Sequence, residues 1–361
     1  MTDSYITRTG SYLPGDPVEN RNINQYLGRV LGEAQVKSKI LAVNGISTRH
    51  YALDKHQNPT HSIYELAAAA VKDCMSQDAQ SPRIDYLSAG TTHAPLLAPG
   101  LSSLLHDQLS KENVISHPLE INSNSGICSS GAQALVNASR AVKSGEARAA
   151  ICVGVEHSSV GLRSKAFHTT YDLPAILRDV RTSKWFMSVF LRFMLSDGAG
   201  AFLLEGQPGD GGFSLKVNWT YSRSFANEAP LCMQLQSDPV LLRQDIKILG
   251  QYMAPLSKKA VEGALCEHDE TLDCYTMVLP HMSSYYFERS VKKIMAELSP
   301  TREVPYWTNL RTAGNTGAAS IFIMLNEYLK TQPVAPGDRI LLFVPESGQF
   351  NYVLVSLTVV R

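Results

Sequence analysis

Ile127-Cys128-Ser129-Ser130-Gly131-Ala132-Gln133-Ala134-Leu135 runs from a short entry segment through small residues into a helical pattern. This order places the Cys128 sulfur near the N-terminus of a predicted helix. Backbone N–H groups and the positive end of the helix dipole favour a thiolate at such a position. A free cysteine is more often a small buried hydrophobe, however, so this segment alone leaves both interpretations of Cys128 open.

Composition excludes several classes of protein. The chain has 361 residues, 44% of them hydrophobic, which is enough for two packed halves with large cores. Its 33 basic and 33 acidic residues balance, which argues against nucleic acid or an anionic membrane as a partner. No apolar run approaches the length of a membrane span, and the N-terminal residues lack a signal-peptide pattern.

The cysteines show no paired spacing of the kind that binds metals. We therefore expect reduced thiols in a cytoplasmic protein, with neither a metal nor a bound cofactor. The six positions are Cys74, Cys128, Cys152, Cys232, Cys266 and Cys274.

Strand-like and helix-like segments alternate along the chain, which is typical of an α/β fold. The first half, 1–206, is predicted to contain helices over 63–75 and 132–144 and strands over 84–92, 149–155 and 197–204. Residues 157–195 mix basic and aromatic side chains and are predicted to form an insertion that caps the sheet. The Gly- and Pro-rich residues 207–212 form the best boundary. In the second half, 212–361, the pattern predicts helices over 243–265, 287–298 and 318–329 and strands over 213–217, 276–279, 339–344 and 352–360.

Two later segments favour a reactive Cys128. His281 follows a predicted strand, and open α/β sheets hold reactive groups beyond the carboxyl ends of their strands. Asn315 lies in Gly314-Asn315-Thr316-Gly317 before a small-residue helix. An ordinary loop histidine and an asparagine helix cap are the simpler interpretations of each residue alone. The order of cysteine, histidine and asparagine, each at a junction between elements, is much more specific.

With these residues in place the chain resembles the thiolase superfamily, and within it the ketoacyl-ACP synthase III type. The resemblance covers nearly the whole length. It rests on Gly10-Ser11-Tyr12-Leu13-Pro14, Asn44-Gly45-Ile46-Ser47-Thr48-Arg49-His50, Ile127-Cys128-Ser129-Ser130-Gly131, Asp197-Gly198-Ala199-Gly200-Ala201, Pro280-His281 and Gly314-Asn315-Thr316. It implies a homodimer with a thiolase-like five-layered α-β-α-β-α fold, built from two similar βαβ halves, with the cap insertion in the first half.

The resemblance also implies an acyl-enzyme mechanism. Cys128 would attack an acyl thioester carried on the phosphopantetheine of an acyl carrier protein or of CoA. The N–H of Cys128 and one from the Ser347-Gly348 turn would hold the oxyanion. His281 and Asn315 would bind the carbonyl of a second thioester and stabilise its enolate, which attacks the acyl-cysteine to form a carbon–carbon bond.

One departure from the family pattern concerns substrate delivery. Chain-initiating members sandwich the adenine of CoA between a tryptophan and arginines, and the matching residues 37–44 contain neither. This favours delivery by an acyl carrier protein. Basic residues of the cap are candidates for docking that carrier, with an ordinary solvated face as the alternative. They are Arg163, Lys165, Arg178, Arg181 and Lys184.

Glu156 follows the apolar strand behind the nucleophile helix. A carboxylate buried near an acyl pocket has a raised pKa and can act as a base. Relatives that join two β-ketoacyl units, or two fatty-acyl chains head to head, use an extra glutamate to deprotonate the α-carbon. We therefore predict Glu156 as the base, with a structural salt bridge as the alternative; Glu205 and Glu346 are less well placed candidates.

Two further departures from the family pattern and one additional motif point to a particular group within the family. The family's His-Gln-Ala-Asn segment is His281-Met282-Ser283-Ser284 here, its Gly-Gly-Gly turn is Glu346-Ser347-Gly348, and Pro305-Tyr306-Trp307 precedes Asn315. Together they resemble the ketosynthase-cyclases that make dialkylresorcinol or stilbene precursors by condensing two β-ketoacyl thioesters and closing a cyclohexanedione ring. A one-step ketoacyl-ACP synthase III-like or head-to-head condensing enzyme, an acyltransferase on the same scaffold and a non-catalytic partner subunit remain open.

Overall fold

The computed structural model describes residues 2–76, 81–166, 173–182, 185–237, 240–299 and 301–361. Lys184, one of the predicted docking residues, lies outside these ranges. Among the described residues no helix is both long and apolar enough to cross a membrane.

Strands and helices alternate through the described chain. The first half contains β1 (Tyr5–Tyr12), β2 (Val18–Glu19), α1 (Ile23–Leu27), α2 (Lys37–Asn44), β3 (Thr48–Arg49), α3 (Ile63–Met75), β4 (Tyr86–Thr91), α4 (Leu101–Lys111), β5 (Glu120–Ser125), α5 (Ser129–Ser144), β6 (Ala149–Glu156), α6 (Ser159–Leu162), α7 (Leu173–Asp179), α8 (Phe186–Arg192) and β7 (Gly198–Glu205). The second half contains β8 (Ser214–Ser224), β9 (Met233–Ser237), β10 (Val240–Gln244), α9 (Ile246–Glu267), β11 (Met277–Pro280), α10 (Glu288–Leu298), α11 (Leu310–Ala313), α12 (Ser320–Thr331), β12 (Arg339–Pro345) and β13 (Asn351–Val360).

The strands of both halves join in one nine-stranded sheet with the order β11-β12-β13-β8-β1-β7-β6-β4-β5. Strands β4, β5 and β6 are parallel, as are β11 and β12, so their carboxyl ends lie at one edge within each half. Within the sheet, the halves join where β1 pairs with β8, and this pairing spans only Tyr5 opposite Lys216 and Ile6 opposite Leu215.

The strands of each half pack one face against a central core that both halves share and the other face against outer helices. The two outer helical layers, the two layers of strands and the central helices together make five layers. In β6, Ile151 and Val153 belong to the core under α3 and α4, whereas Ala150 and Cys152 face the central core around α5 and α12. In β13 the alternation repeats, since Val355 points to the same central core while Leu354 points to the core under α9 and α10. The predicted thiolase-like α-β-α-β-α fold is therefore confirmed.

The sequence pattern located most of the elements within a few residues. Helix α9 begins at Ile246 and not at 243, because residues 240–244 pair with β9 as a hairpin and Asp245 caps the helix. Helix α12 begins at Ser320 and not at 318, because residues 317–319 form a tight 3-10 turn. The cap region 157–195 contributes α6, α7 and α8 where it is described. The division of the chain at 206–212 remains a prediction.

Candidate active site

Cys128 lies at the position immediately before α5, as the sequence predicted. Its thiol opens onto a channel that His281 and Ser347 also line. The backbone N–H at the helix N-terminus lowers the pKa of the Cys128 thiol, as expected, but stronger influences outweigh it. Burial raises the pKa of the Cys128 thiol above its ordinary value, and the charges of Glu346 and then Glu156 raise it further.

His281 directly follows β11, and its backbone N–H donates to the Phe343 carbonyl of the neighbouring strand β12 at 2.8 Å. Its Nδ1 lies 2.7 Å from the Ser320 hydroxyl. Nε2 is buried and has no partner among the described residues. Burial lowers the pKa of His281 to about 4, so the ring is neutral near pH 7. When the Ser320 hydroxyl donates to Nδ1, the ring proton resides on Nε2 and is available to a substrate carbonyl.

Two backbone hydrogen bonds hold Asn315 in position. Its N–H donates to the Met194 carbonyl at 3.1 Å, and its carbonyl accepts from the Ser196 N–H at 2.9 Å. The side-chain Oδ1 accepts from the Gly317 N–H at 3.0 Å. With Oδ1 occupied in this way, the Nδ2 amide group donates to none of the described residues. Nδ2 is thus a second N–H donor for a substrate oxygen.

Glu156 ends β6 and is 2% exposed. Its Oε1 accepts from the Thr92 N–H at 3.0 Å, from the Ala318 N–H at 3.1 Å and from the Thr92 hydroxyl. Burial is the largest influence on this carboxyl, and it raises the pKa to about 7 despite the opposing hydrogen bonds. A carboxyl with this pKa exchanges protons readily near neutral pH, as a general base must.

Glu156 also lies beside the asparagine loop. Gly317 has φ near +49°, and a Cβ added there would lie 2.9 Å from Cγ of Glu156. Ala318, which donates to Glu156, follows directly. The structure thus brings Glu156, Asn315 and Cys128 into one neighbourhood, because the charge of Glu156 also acts on the Cys128 thiol. No arginine or lysine forms an ion pair with Glu156 in the described chain, so its contacts do not match the salt-bridge alternative.

The predicted oxyanion turn lies against the start of α5. A Cβ added to Gly348 would lie 2.9 Å from Cγ1 of Ile127, so the turn and the helix entrance are in contact. The Ser347 hydroxyl accepts from Gln244 at 2.9 Å. Within the described chain the N–H groups of Cys128, Ser347 and Gly348 have no hydrogen-bond acceptor on another residue. Each can therefore donate to a substrate oxygen.

A channel leads to this site between α9 and α10. Its walls are mainly apolar, with Leu249 and Met253 on one side and Val291 and Ile294 on the other. Gly250 and Tyr286 are exposed and line its outer part. The volume of the channel is about 150 Å³. An apolar cavity of about this volume in another protein binds one benzene molecule. The channel is therefore small and mainly apolar, as suits an acyl chain or the arm that carries it.

Three contributors were missed from the sequence or ranked low. Ser320 and Thr92 had no signal beyond being hydroxyl residues near junctions, and their roles come from the fold. Glu346, which ranked below Glu156 as a base, accepts from the N–H groups of Ile127 and Ser129 at the start of α5. The other low-ranked carboxylate, Glu205, lies at the far end of β7 and accepts from Thr7 at 2.6 Å.

The basic residues of the cap are mostly engaged within the chain. Arg163 donates to carbonyls of Val160 and Gln57, Lys165 donates to the His56 carbonyl, and Arg181 pairs with Asp179. Arg178 is exposed. Arg49 is fully buried and donates to the Phe193 carbonyl, so its guanidinium is closed to ligands. No cluster of three metal-binding side chains occurs in the described chain.

Two family models match parts of this chain. Residues 43–174 match the family model of the thiolase N-terminal domain, and residues 270–349 match that of the C-terminal part of 3-oxoacyl-[acyl-carrier-protein] synthase III. The first match contains Cys128 and Glu156, and the second contains His281, Asn315 and the Glu346 turn. By these matches the chain resembles a thiolase in its N-terminal part and a ketoacyl-ACP synthase III in its C-terminal part.

Solved structures show the same fold over nearly the whole chain. AbyA1, a tetronic acid condensing enzyme, is 21% identical with a TM-score of 0.77, covering 98% of this chain and 99% of its own. A variant of OleA from Xanthomonas campestris is 17% identical with a TM-score of 0.78, covering 99% and 98%. The 3-oxoacyl-[acyl-carrier-protein] synthase III of Aquifex aeolicus VF5 is 20% identical with a TM-score of 0.73, covering 99% of both chains.

Proposed function

We propose that this protein is a ketosynthase that joins two β-ketoacyl thioesters through an acyl-Cys128 intermediate and closes the product to a cyclohexanedione, a precursor of the dialkylresorcinol type. The family supports a condensing enzyme. The finer proposal rests on the motifs His281-Met282-Ser283-Ser284, Glu346-Ser347-Gly348 and Pro305-Tyr306-Trp307, which resemble ketosynthase-cyclases.

The observation that carries the proposal is the buried Glu156 carboxyl beside the Asn315 loop, with its pKa raised to about 7. A condensing enzyme that makes its carbanion by decarboxylation needs no base, whereas one that deprotonates an α-carbon does. The α-protons of a β-ketoacyl thioester lie between two carbonyl groups and are acidic enough for a carboxylate. Glu156 therefore favours substrates that are deprotonated and not decarboxylated.

The reaction follows from the placement of the donors. The Cys128 sulfur displaces the carrier thiol from the first thioester, while the N–H of Cys128 and one of the turn hold the oxyanion. Neutral His281 and Asn315 donate to the carbonyl of the second thioester, and Glu156 removes its α-proton. The resulting carbanion attacks the acyl group and releases Cys128. A second carbanion, at the alkyl carbon beside one ketone of the joined chain, then adds to the ketone at the other end. This step closes a cyclohexane-1,3-dione ring, and the attacked ketone oxygen takes up a proton and becomes a hydroxyl group. The thioester of the second substrate stays on the ring.

We further propose that the substrates arrive on the phosphopantetheine arm of an acyl carrier protein, that no bound cofactor takes part, and that the protein acts as a cytoplasmic homodimer. The narrow channel suits an extended arm, and the absence of tryptophan and arginine in residues 37–44 favours a carrier protein over CoA. Exposed Arg178, which forms no ion pair with another described residue, remains a candidate for docking.

Incubation with two β-ketoacyl thioesters and mass analysis of the products tests the proposal. We expect a cyclic product from the wild-type protein and none from Cys128→Ala, which should also fail to form the acyl-enzyme in intact-mass spectra. His281→Ala and Asn315→Ala should still become acylated but should lose condensation by at least about a hundredfold, the usual cost of one oxyanion donor. Acyl labelling of Cys128→Ala would refute the nucleophile assignment.

A one-step head-to-head condensing enzyme is the second candidate, because a glutamate base serves that reaction as well and the fold matches that of OleA. An open-chain product without a ring would decide for it and against the cyclase. An acyltransferase that passes the acyl group to an oxygen nucleophile has no need of the enolate donors His281 and Asn315. Their presence argues against that third possibility.

A further inference from the structure

Glu346 lies at the N-terminus of the nucleophile helix and is 2% exposed. Its Oε2 accepts from the Ile127 N–H at 3.1 Å, from the Ser129 N–H at 3.2 Å and from the Ser129 hydroxyl. These groups flank Cys128 on both sides. Oε1 accepts from Nδ2 of Asn351 at 3.0 Å. Both carboxylate oxygens are thus engaged, and the anion site that a helix N-terminus offers is filled by the protein's own side chain.

The turn that follows Glu346 packs directly on this carboxylate. A Cβ added to Gly348 would lie 2.7 Å from Oε1, so a larger residue there would force the carboxylate or the turn to shift. On the other side of the turn, the Glu346 N–H donates to the Asn351 carbonyl at 2.9 Å. The carboxylate is therefore the link between two elements that carry oxyanion donors: the start of α5, with the Cys128 N–H, and the turn, with the Ser347 and Gly348 N–H groups.

We propose that Glu346 is a positioning residue that fixes the oxyanion turn against α5 and places a negative charge beside Cys128. By occupying the N–H groups of Ile127 and Ser129, it leaves the Cys128 N–H and those of the turn for the substrate oxygen. Its charge opposes the positive end of the α5 dipole at the point where the sulfur lies.

The electrostatics of the thiol agree with this role. After burial, Glu346 is the strongest influence that raises the pKa of Cys128, and Glu156 is the next. His281, across the channel, is neutral near pH 7 because its pKa is lowered to about 4, so it supplies no compensating positive charge. No lysine or arginine forms an ion pair with Glu346 in the described chain. The resting thiol therefore faces two carboxylates and no cation.

A protonated nucleophile changes the acylation step, and here the inference rests on the proposed function. The Cys128 sulfur forms the new bond to the acyl carbon as the bond from that carbon to the carrier sulfur breaks. The proton of the Cys128 thiol passes to the departing sulfur, which leaves as a free carrier thiol. Atoms and electrons balance without a further reactant. Before substrate binds, the thiol reacts slowly with small electrophiles, which need the thiolate.

The experiment measures alkylation of Cys128 by iodoacetamide as a function of pH, with peptide mapping to separate it from the exposed Cys266 and Cys274. Glu346→Gln keeps the size of the side chain and removes its charge. We expect the pH of half-maximal alkylation to fall by about one unit or more, while acyl transfer from a thioester to Cys128 falls about tenfold or more because the turn loses its anchor.

A second variant separates the charge of Glu346 from the length of its side chain, and a third serves as a control. Glu346→Asp keeps the charge on a shorter chain, so the alkylation midpoint should stay high while acyl transfer falls. Glu205→Gln removes a carboxylate that lies far from the site, at the end of β7, and should leave both measurements unchanged. The two Glu346 variants together also keep the test informative if one of them fails to fold.

Equal midpoints in wild type and Glu346→Gln would overturn the assignment, as would faster alkylation at every pH together with a lower melting temperature, which would indicate local unfolding. The alkylation measurement uses no acyl substrate. If the wild-type protein gives no condensation product but the midpoint shifts as expected, the proposed function fails and the role of Glu346 stands.

Discussion

The ionised form of Glu156 destabilises the folded protein because the carboxylate is buried. It is buried, and its hydrogen bonds from Thr92 and Ala318 offset only part of the desolvation, so its pKa rises from an ordinary 4.5 to about 7. Below pH 4.5 the carboxyl is protonated in both the folded and the unfolded chain and costs nothing. As the pH rises from 4.5 to about 7 the unfolded chain ionises first, and stability is lost across that window.

Glu156→Gln should therefore stabilise the protein at alkaline pH and abolish its condensation activity. The glutamine Oε1 can accept the same hydrogen bonds and has no charge to desolvate. We expect equal stability of variant and wild type near pH 4.5 and a gain that grows to about 3 kcal/mol above pH 7. Denaturant unfolding at several pH values measures the gain, and intact mass shows that Cys128 still becomes acylated. Full condensation activity in the variant would assign Glu156 a structural role.

At the residue scale, the sequence predicted which residues lie at the site better than it predicted the electrostatic surroundings of each one. Cys128, His281 and Asn315 lie at the junctions where the pattern placed them, because each follows a recognisable strand end or precedes a helix. The charge state of Cys128 was not predictable in the same way. It depends on Glu346, 218 positions away in the chain, and no local pattern reports that such a carboxylate folds back onto the helix N-terminus.

At the element scale, helices α9 and α10 form the walls of the channel, and Gly250 lies at its outer part. A glycine inside a helix costs about 1 kcal/mol relative to alanine, and a Cβ at Gly250 would meet no atom within 4 Å, so packing does not require glycine there. A large side chain at this position would extend into the outer part of the channel. We therefore expect substrate access to depend on this helix pair.

Gly250→Trp should obstruct the channel without damaging the helix. We expect KM for an acyl thioester to rise about tenfold or more, because the indole occupies the route of the arm. Alkylation of Cys128 by iodoacetamide should change less than twofold, since the reagent is small. Gln251→Trp places the same side chain one residue further along, where it is exposed and does not line the channel. Equal KM values in the two variants would show that the substrate enters elsewhere.

The elements that the sequence predicted well have strong periodicity. Helix α3 occupies the predicted range 63–75, with a capping box formed by Ser62 and Glu65. Strand β5 was not predicted, because it lies at the edge of the sheet and its sequence Glu-Ile-Asn-Ser-Asn-Ser is mostly polar and exposed. Its strand conformation comes from pairing with β4 and not from a hydrophobic pattern. The β9–β10 hairpin likewise replaced the predicted start of α9.

At the scale of the whole molecule, the two halves meet backbone to backbone beside the site. A Cβ added to Gly131 in α5 would lie 2.0 Å from the Ala318 carbonyl oxygen, and one added to Gly154 in β6 would lie 2.4 Å from the same atom. Ala318 belongs to the turn that follows Asn315. The first half carries Cys128 and the second carries Asn315, so these glycine contacts bring the proposed nucleophile and the proposed enolate donor close together.

Gly131→Ala should therefore impair the reaction through the packing of the halves. The added methyl group forces α5 and the Ala318 turn apart, at a cost of about 1–3 kcal/mol for an overpacked core. A displacement of about 1 Å between reacting groups can lower the rate about a hundredfold. We expect condensation to fall by more than the acylation of Cys128, since acylation uses donors from α5 and the Glu346 turn and does not need Asn315. Gly206→Ala is the matched control, because a Cβ there meets no atom within 4 Å. Equal losses of acylation and condensation in Gly131→Ala would mean that the contact only supports the fold.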